Sequence, residues 1–260
     1  MGIVNLTPDS FSGDAQPKDT RAAITHAELQ LASGAHILDV GAESSRPGAI
    51  PTPEDEELRR LLPVIRELAG WGVPISVDTY KPTVMRAALD VGASIINDIG
   101  ALRAPGALDV VANSDCGACL MHMQRDPQPM QVAPTYGNVV SEVSDFLESR
   151  IRECERMGIE SNRLMLDPGY GFGKSLEHNI TLFRQMQALS TLGYPLLIGV
   201  SRKSMLGGIT GRAIGGRMTA SVVAAVLAAQ KGAKILRVHD VAETRDALSV
   251  LAALGDNNCD

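Results

Sequence analysis

Aromatic rings are scarce in this chain: one Trp, four Tyr and four Phe make up 3% of 260 residues. Its core is therefore aliphatic, which suits parallel strands buried on both faces. No basic run interleaved with rings is present to stack bases. Positive charge is also in deficit. With 24 Lys and Arg against 30 Asp and Glu, the net charge of -6 repels a phosphate backbone, so nucleic acid is a poor partner. Long apolar runs are missing too. The longest, 222–229, falls far short of the ~20 residues of a membrane span, and the N-terminus lacks a basic region followed by an apolar core. No membrane partner is expected, and the cytoplasm is the expected location. Cysteine is limited to Cys116, Cys119, Cys154 and Cys259. Cys116 and Cys119 form a C-x-x-C, but residues three apart on a strand point to opposite faces and no second Cys/His pair stands at zinc-ligand spacing. Buried, reduced thiols are expected.

What the chain has instead is a repeat. Eight times a short apolar run ends in a residue able to carry charge or make a strong hydrogen bond, and a helix-like stretch follows. The endings are Asn5, Asp39, Asp78, Asn97, His122, Asp167, Ser201 with Lys203, and Arg237 with His239. Three units share one junction, with Gly34, Gly92 and Gly232 closing a helix just before a strand, the economical connection of a parallel sheet. Helices are expected over 20–33, 53–69, 82–91, 105–112, 139–157, 176–189, 217–230 and 241–253. A βα unit about every 30 residues favours one closed (β/α)8 barrel of the usual ~250 residues, a single domain over 1–260. The linkers after strands, 7–18, 42–52, 123–136, 168–175 and 201–216, are long and rich in Pro and Gly, whereas those before strands are short. That asymmetry places an active site at the carboxyl face of the strands.

The chemistry of that mouth follows from the residue types. Asp39, Asp78 and Asp167, joined by Asn97, suit the N–H edge of a guanidine-like heterocycle, since a carboxylate accepts paired hydrogen bonds and an amide both donates and accepts. A divalent metal cage is the alternative, but Asn97 and Lys203 fit it poorly. Arg46, Lys203 and Arg237 with His239 supply positive charge; Arg237 and His239, two apart, point the same way at the end of the eighth strand, where barrels often bind phosphate. The ligand is therefore expected to bear an anion. Asn5 either caps a turn or, set over a diphosphate, completes the oxygen shell of Mg2+. Phe11 and Phe172 fall in loops, as outer packing or as faces for an aryl group, and Pro47 serves the same purpose. Gly173-Lys174-Ser175 looks like the end of a phosphate-binding P-loop, but Pro168 stands where its first Gly belongs. A zinc amidohydrolase barrel would need His-x-His on the first strand, where Asn5 and Thr7 stand.

These residues also form longer matches. Met1 to Ser12 (MGIVNLTPDSFS) and Asp39 to Gly48 (DVGAESSRPG) resemble the two signature loops of the dihydropteroate synthase family. The resemblance continues through Ser76-Val77-Asp78-Thr79, Ile96-Asn97-Asp98-Ile99, Leu120-Met121-His122-Met123-Gln124, Leu166-Asp167-Pro168-Gly169 to Lys174, Ser201-Arg202-Lys203-Ser204 and Arg237-Val238-His239-Asp240-Val241. It implies a transferase of folate biosynthesis that joins a dihydropterin diphosphate to p-aminobenzoate and releases diphosphate. It further implies that Asp78, Asn97, Asp167 and Lys203 hold the pterin, Arg46, Arg237 and His239 the diphosphate, and Asn5 the Mg2+. Phe11, Ser45, Pro47, Ser201 and Lys203 would border the p-aminobenzoate site, which sulfonamides occupy in this family. Lys203, Asp167, Asp78, Arg237 and His239 are the residues expected to act on the reaction, and a homodimer is expected by family analogy.

Three departures stand out. The family usually reads Ser-Asp-Gly-Gly after the first-loop Phe, whereas this chain has Ser12-Gly13-Asp14-Ala15, moving the acid one residue along. Ser45 stands where Thr is usual. Family members generally carry an N-terminal segment over the barrel floor, whereas Met1 stands almost at the first strand, so that segment is expected to be short or missing. Two rivals remain: a non-catalytic pterin-binding protein, motivated by the altered loop, and a corrinoid-type methyltransferase barrel, which gives no reason for Ser201-Arg202-Lys203 and Arg237-Val238-His239 as diphosphate holders.

Overall fold

Eight parallel strands form the expected ring. The computed structural model describes residues 1–6, 17–43, 51–124 and 134–255. Strands β1 (Gly2–Asn5), β2 (Leu38–Gly41), β3 (Ile75–Asp78), β4 (Ile95–Asp98), β5 (Gly117–Met121) and β6 (Leu164–Asp167) pair in chain order, all parallel. Strands β7 (Leu197–Ile198) and β8 (Ile235–Leu236) pair with each other. Bridges Leu166↔Leu196 and Gly2↔Val238 link the two sets at both sides. The (β/α)8 reading holds.

The outward side chains of the strands explain the helices. Val4, Leu38, Val40 and Val77 are buried in one cluster with Ala23 and Ala27 of α1 (Pro17–Ala32), Leu61, Val64, Ile65 and Leu68 of α2 (Glu54–Ala69), and Val84 and Ala88 of α3 (Pro82–Asp90). A second cluster joins Ile96, Leu120, Leu166 and Ile198 to α4 (Ala107–Ala112), α5 (Val139–Arg156) and α6 (Leu176–Arg184). Burying one apolar stripe per helix is what stabilises such short strands. Inside the ring, Ile95, Cys119, Met165 and Leu197 form an aliphatic layer. Cys116 lies in the outer cluster instead, and Cys116, Cys119 and Cys154 are free and buried; Cys259 lies outside the described residues.

Gly34, Gly92 and Gly232 adopt the left-handed backbone expected at the three shared junctions. Two elements differ from expectation. The stretch 176–189 divides into α6 and a 3-10 turn over Met186–Leu192. Within the expected loop 201–216 lies α7 (Ser204–Thr210), ahead of α8 (Met218–Gln230) and α9 (Val241–Leu254). Gly207 and Gly208 disguise α7, since each costs about 1 kcal/mol of helix propensity. The Arg217 guanidinium packs over Gly207, where a Cβ would stand 2.3 Å from it and displace that side chain.

Candidate functional site

The strand ends converge on a layer of charge just above the aliphatic one. Register places Asp39 opposite Ser76, and Gly41 opposite Asp78, which faces Asn97 in turn. Asp39 therefore lies one inward layer below Asp78. It is fully buried, and its oxygens accept from Ser76 Oγ at 2.5 Å, Asn97 Nδ2 at 3.3 Å and Arg237 Nε at 2.6 Å. This departs from the expectation that Asp39 lines the substrate: with no exposure and its oxygens occupied, it props Arg237 and Asn97 from below. Arg237 spans the mouth, giving its second edge to Asp78 Oδ2 at 2.9 Å. Burial pushes the Asp78 carboxyl up to about 7 against the pull of Arg237, and the two carboxylates more than offset desolvation to raise the guanidinium.

Asp167 and Lys203 form the second half of the layer. The turn 168–173 after β6 is built around them: the Gly169 N–H donates to Asp167 Oδ1 at 2.7 Å, and Lys203 Nζ donates to the Tyr170 carbonyl at 2.6 Å. Lys203 Nζ also stands 4.7 Å from the centre of the Phe172 ring, a cation–π distance. Gly169 has φ +69°, and a Cβ there would meet the His122 carbonyl oxygen at 1.9 Å, so no other residue fits this turn. Burial raises Asp167 and lowers Lys203 to about 8, each partly restored by the other's charge. Phe172, expected as an aryl face, is largely buried and packs with Ile99, Met121 and Met123, with Tyr80 against them. The mouth thus has an apolar wall beside its polar floor, as suits a flat heterocycle.

At the end of β8, Ser201 Oγ accepts the His239 backbone N–H at 3.2 Å and lies 3.0 Å from His239 Nδ1. The hydroxyl has one O–H and two lone pairs, so it can accept the backbone N–H and still pair with Nδ1 in either tautomer of the ring. Burial and the nearby Arg237 lower His239 to about 4, so a neutral imidazole stands beside the cation of Arg237. Arg202, with φ +56°, turns away from the mouth into an ion pair with Asp240.

The structure brings Asp78, Asn97, Asp167, Ser201, Lys203, Phe172, Arg237 and His239 to one end of the barrel, and Asn5 ends β1 at the same rim. His122 does not join them. It follows β5, is buried, and turns outward so that its ring meets Phe146 at 5.0 Å. Phe11, Ser45, Arg46 and Pro47 lie outside the described residues, as do the altered positions Ser12 to Ala15. Ser76 and the Tyr170 carbonyl were missed from the sequence. Ser76 was findable, because it stands two residues before Asp78 and so shares its face; a backbone carbonyl leaves no residue-type signal.

Comparison with known proteins gives one answer. A model of the family described as pterin binding enzyme matches residues 1–239. The chain is 52% identical over 262 aligned residues to the dihydropteroate synthase of Neisseria meningitidis serogroup C, covering 99% of this chain and 93% of that one. It is similar to two solved structures of the Xanthomonas albilineans dihydropteroate synthase. One holds 4-aminobenzoic acid (TM-score 0.93, 50% identity, 98% of this chain and 92% of that one). The other is in complex with 7,8-dihydropteroate (TM-score 0.89, 48% identity, with the same shares). The Yersinia pestis dihydropteroate synthase, solved with a sulfonamide drug complex, matches with TM-score 0.93 at 44% identity over 97% of this chain and 92% of that one.

Proposed function

Because the chain belongs to the dihydropteroate synthases of the pterin-binding enzyme family, we infer that it is a transferase of folate biosynthesis, moving the 7,8-dihydropterin-6-ylmethyl group from its diphosphate to p-aminobenzoate. The observation that carries this reading is the single polar layer in which Asp78, Asn97, Asp167, Lys203 and Arg237 meet at the barrel mouth. In our reading Asp167 and Asp78 accept the N–H edge of the pterin, Asn97 meets a mixed edge, and Lys203 donates to a ring acceptor or carbonyl. Arg237, His239 and Arg46 hold the diphosphate.

The reaction then needs little movement of protons by the protein. The methylene C–O bond breaks with its electron pair passing to the diphosphate, and Arg237 offsets the charge that gathers there. The carboxylates keep the electron-poor pterin methylene in a negative field. The arylamine lone pair forms the new C–N bond, and the nitrogen loses a proton. Ser45, Pro47 and Phe11 border p-aminobenzoate and, as competitors for the same place, sulfonamides.

Mg2+ fits this site only in part. Among the described residues no three His, Cys, Asp or Glu side chains gather as a cage. The oxygen of Asn5, a hard neutral donor at the rim, suits an ion that takes its remaining oxygens from diphosphate and water. When bound, the ion would neutralise leaving-group charge. We further propose a homodimer through α8, whose Val223 and Leu227 are 53% and 44% exposed. A cytoplasmic setting agrees with free Cys116, Cys119 and Cys154, and among the described residues no helix is long and apolar enough to cross a membrane.

Incubation of the purified protein with dihydropterin diphosphate, p-aminobenzoate and Mg2+ is expected to yield dihydropteroate and diphosphate. Pterin binding without product would favour a non-catalytic binding protein. Asp167→Ala is expected to weaken pterin binding by roughly 10- to 100-fold, the loss of one charged hydrogen-bond acceptor. Unchanged affinity in direct titration would remove Asp167 from the site.

A further inference from the structure

Lys174 is buried and belongs to the Gly173-Lys174-Ser175 run that imitates a P-loop. His122 is the one strand-end residue of the sequence repeat that turns away from the mouth among those described. The two meet. Lys174 Nζ lies 2.9 Å from His122 Nδ1, 2.9 Å from the Gly169 carbonyl and 3.1 Å from the Phe172 carbonyl, with the His122 carbonyl at 3.4 Å.

We propose that Lys174, steadied by His122, is a positioning residue that pins the turn 168–173 from beneath so that the turn presents Asp167 and Lys203 to the pterin. The argument is one of bond accounting. Burial pushes Lys174 well below the ordinary lysine value, but the bonds do not depend on its charge: carbonyls can only accept, so the N–H groups of Nζ go to those of Gly169 and Phe172. Burial lowers His122 to about 2, so its ring is neutral, and its Nδ1 is the side-chain hydrogen-bond partner of Nζ. The carbonyls that Lys174 holds belong to Gly169 and Phe172. The N–H of that glycine orients Asp167, and the ring of that phenylalanine lies against Lys203. Between them stands Tyr170, whose carbonyl takes the Lys203 ammonium. The contacts from this turn to Asp167 and Lys203 therefore come from the four residues 169–172, held at both ends by Lys174. The P-loop imitation has the reverse logic: its lysine faces the protein's own carbonyls, where a P-loop lysine faces phosphate.

This inference rests on the pterin site proposed above, and its test separates the two. Dihydropterin diphosphate is titrated, by its fluorescence, into the wild type, Lys174→Met, His122→Asn and His122→Leu, and the thermal unfolding of each is recorded. Asn places an amide oxygen where Nδ1 stands, whereas Leu removes the hydrogen-bond partner; both lose the ring. Lys174→Met and His122→Leu are expected to weaken pterin binding ~10-fold or more, and His122→Asn by no more than ~3-fold, as the loss of one buried hydrogen bond allows. The two His122 variants should unfold at similar temperatures. Equal affinity in those two variants, or wild-type affinity in Lys174→Met, would overturn the proposal while leaving the pterin site intact. Should Lys174→Met fail to fold, the His122 pair decides alone. A wild type that binds no pterin would remove the site and the inference together.

Discussion

Lys203 holds its charge against its surroundings. Burial lowers it to about 8 and the neighbouring Asp167 opposes that fall, so the ammonium is charged at neutral pH and loses its proton just above it. A lysine is cationic below its pKa, so pterin affinity should decline as pH rises through about 8. Calorimetric titration across that range is expected to show the decline in the wild type, none in Lys203→Arg, and weak binding throughout in Lys203→Met. A wild-type profile flat to about pH 9, where an ordinary lysine is still charged, would show that no lysine of lowered pKa governs binding. His239 adds no limb near its ordinary value, because it is held neutral down to about 4.

Among the elements, the turn after β6 is the least tolerant of change. Gly169 combines a left-handed backbone with a Cβ position 1.9 Å from the His122 carbonyl oxygen. Gly169→Ala must strain the backbone and push β5 and the turn apart, and is expected to cost roughly 2 kcal/mol or more of stability. Denaturant unfolding measures this, and dihydropteroate formation should fall with it; an alanine variant of wild-type stability would show that the turn has another way to close. The same scale shows what could be read from the residues alone. The eight strands were legible because each is an apolar run closed by one polar residue, and Asp78, Asn97, Asp167, Lys203 and Arg237 were found by that signal. It could not say how deep or which way a closing residue points. Asp39 stands opposite Ser76, a layer below Asp78, and His122 lies one residue past β5 and faces Phe146. Helix α7 was hidden by Gly207 and Gly208, whose low propensity is outweighed by the burial of Met205 and Leu206.

For the whole molecule, the proposed dimer turns on the outer face of α8. This helix is apolar nearly all round, yet Val223 and Leu227 stay exposed on it, with Val250 of the adjoining α9. Replacing both with Val223→Lys and Leu227→Lys is expected to convert dimer to monomer in light scattering while leaving the unfolding temperature of the barrel nearly unchanged. A wild type that is already monomeric would rule the interface out. The ring itself is held across its full length, since Asp39 near the start and Arg237 near the end form one ion pair 198 residues apart. A chain emerging from the ribosome has made the second strand long before the eighth. Until the last strand arrives, Asp39 lacks its partner Arg237 and the first strand lacks its bridge to Val238. The final quarter of the polypeptide therefore acts as the fastener for the first, and a messenger cut short ahead of residue 237 should yield protein that chaperones and proteases recognise as unfinished.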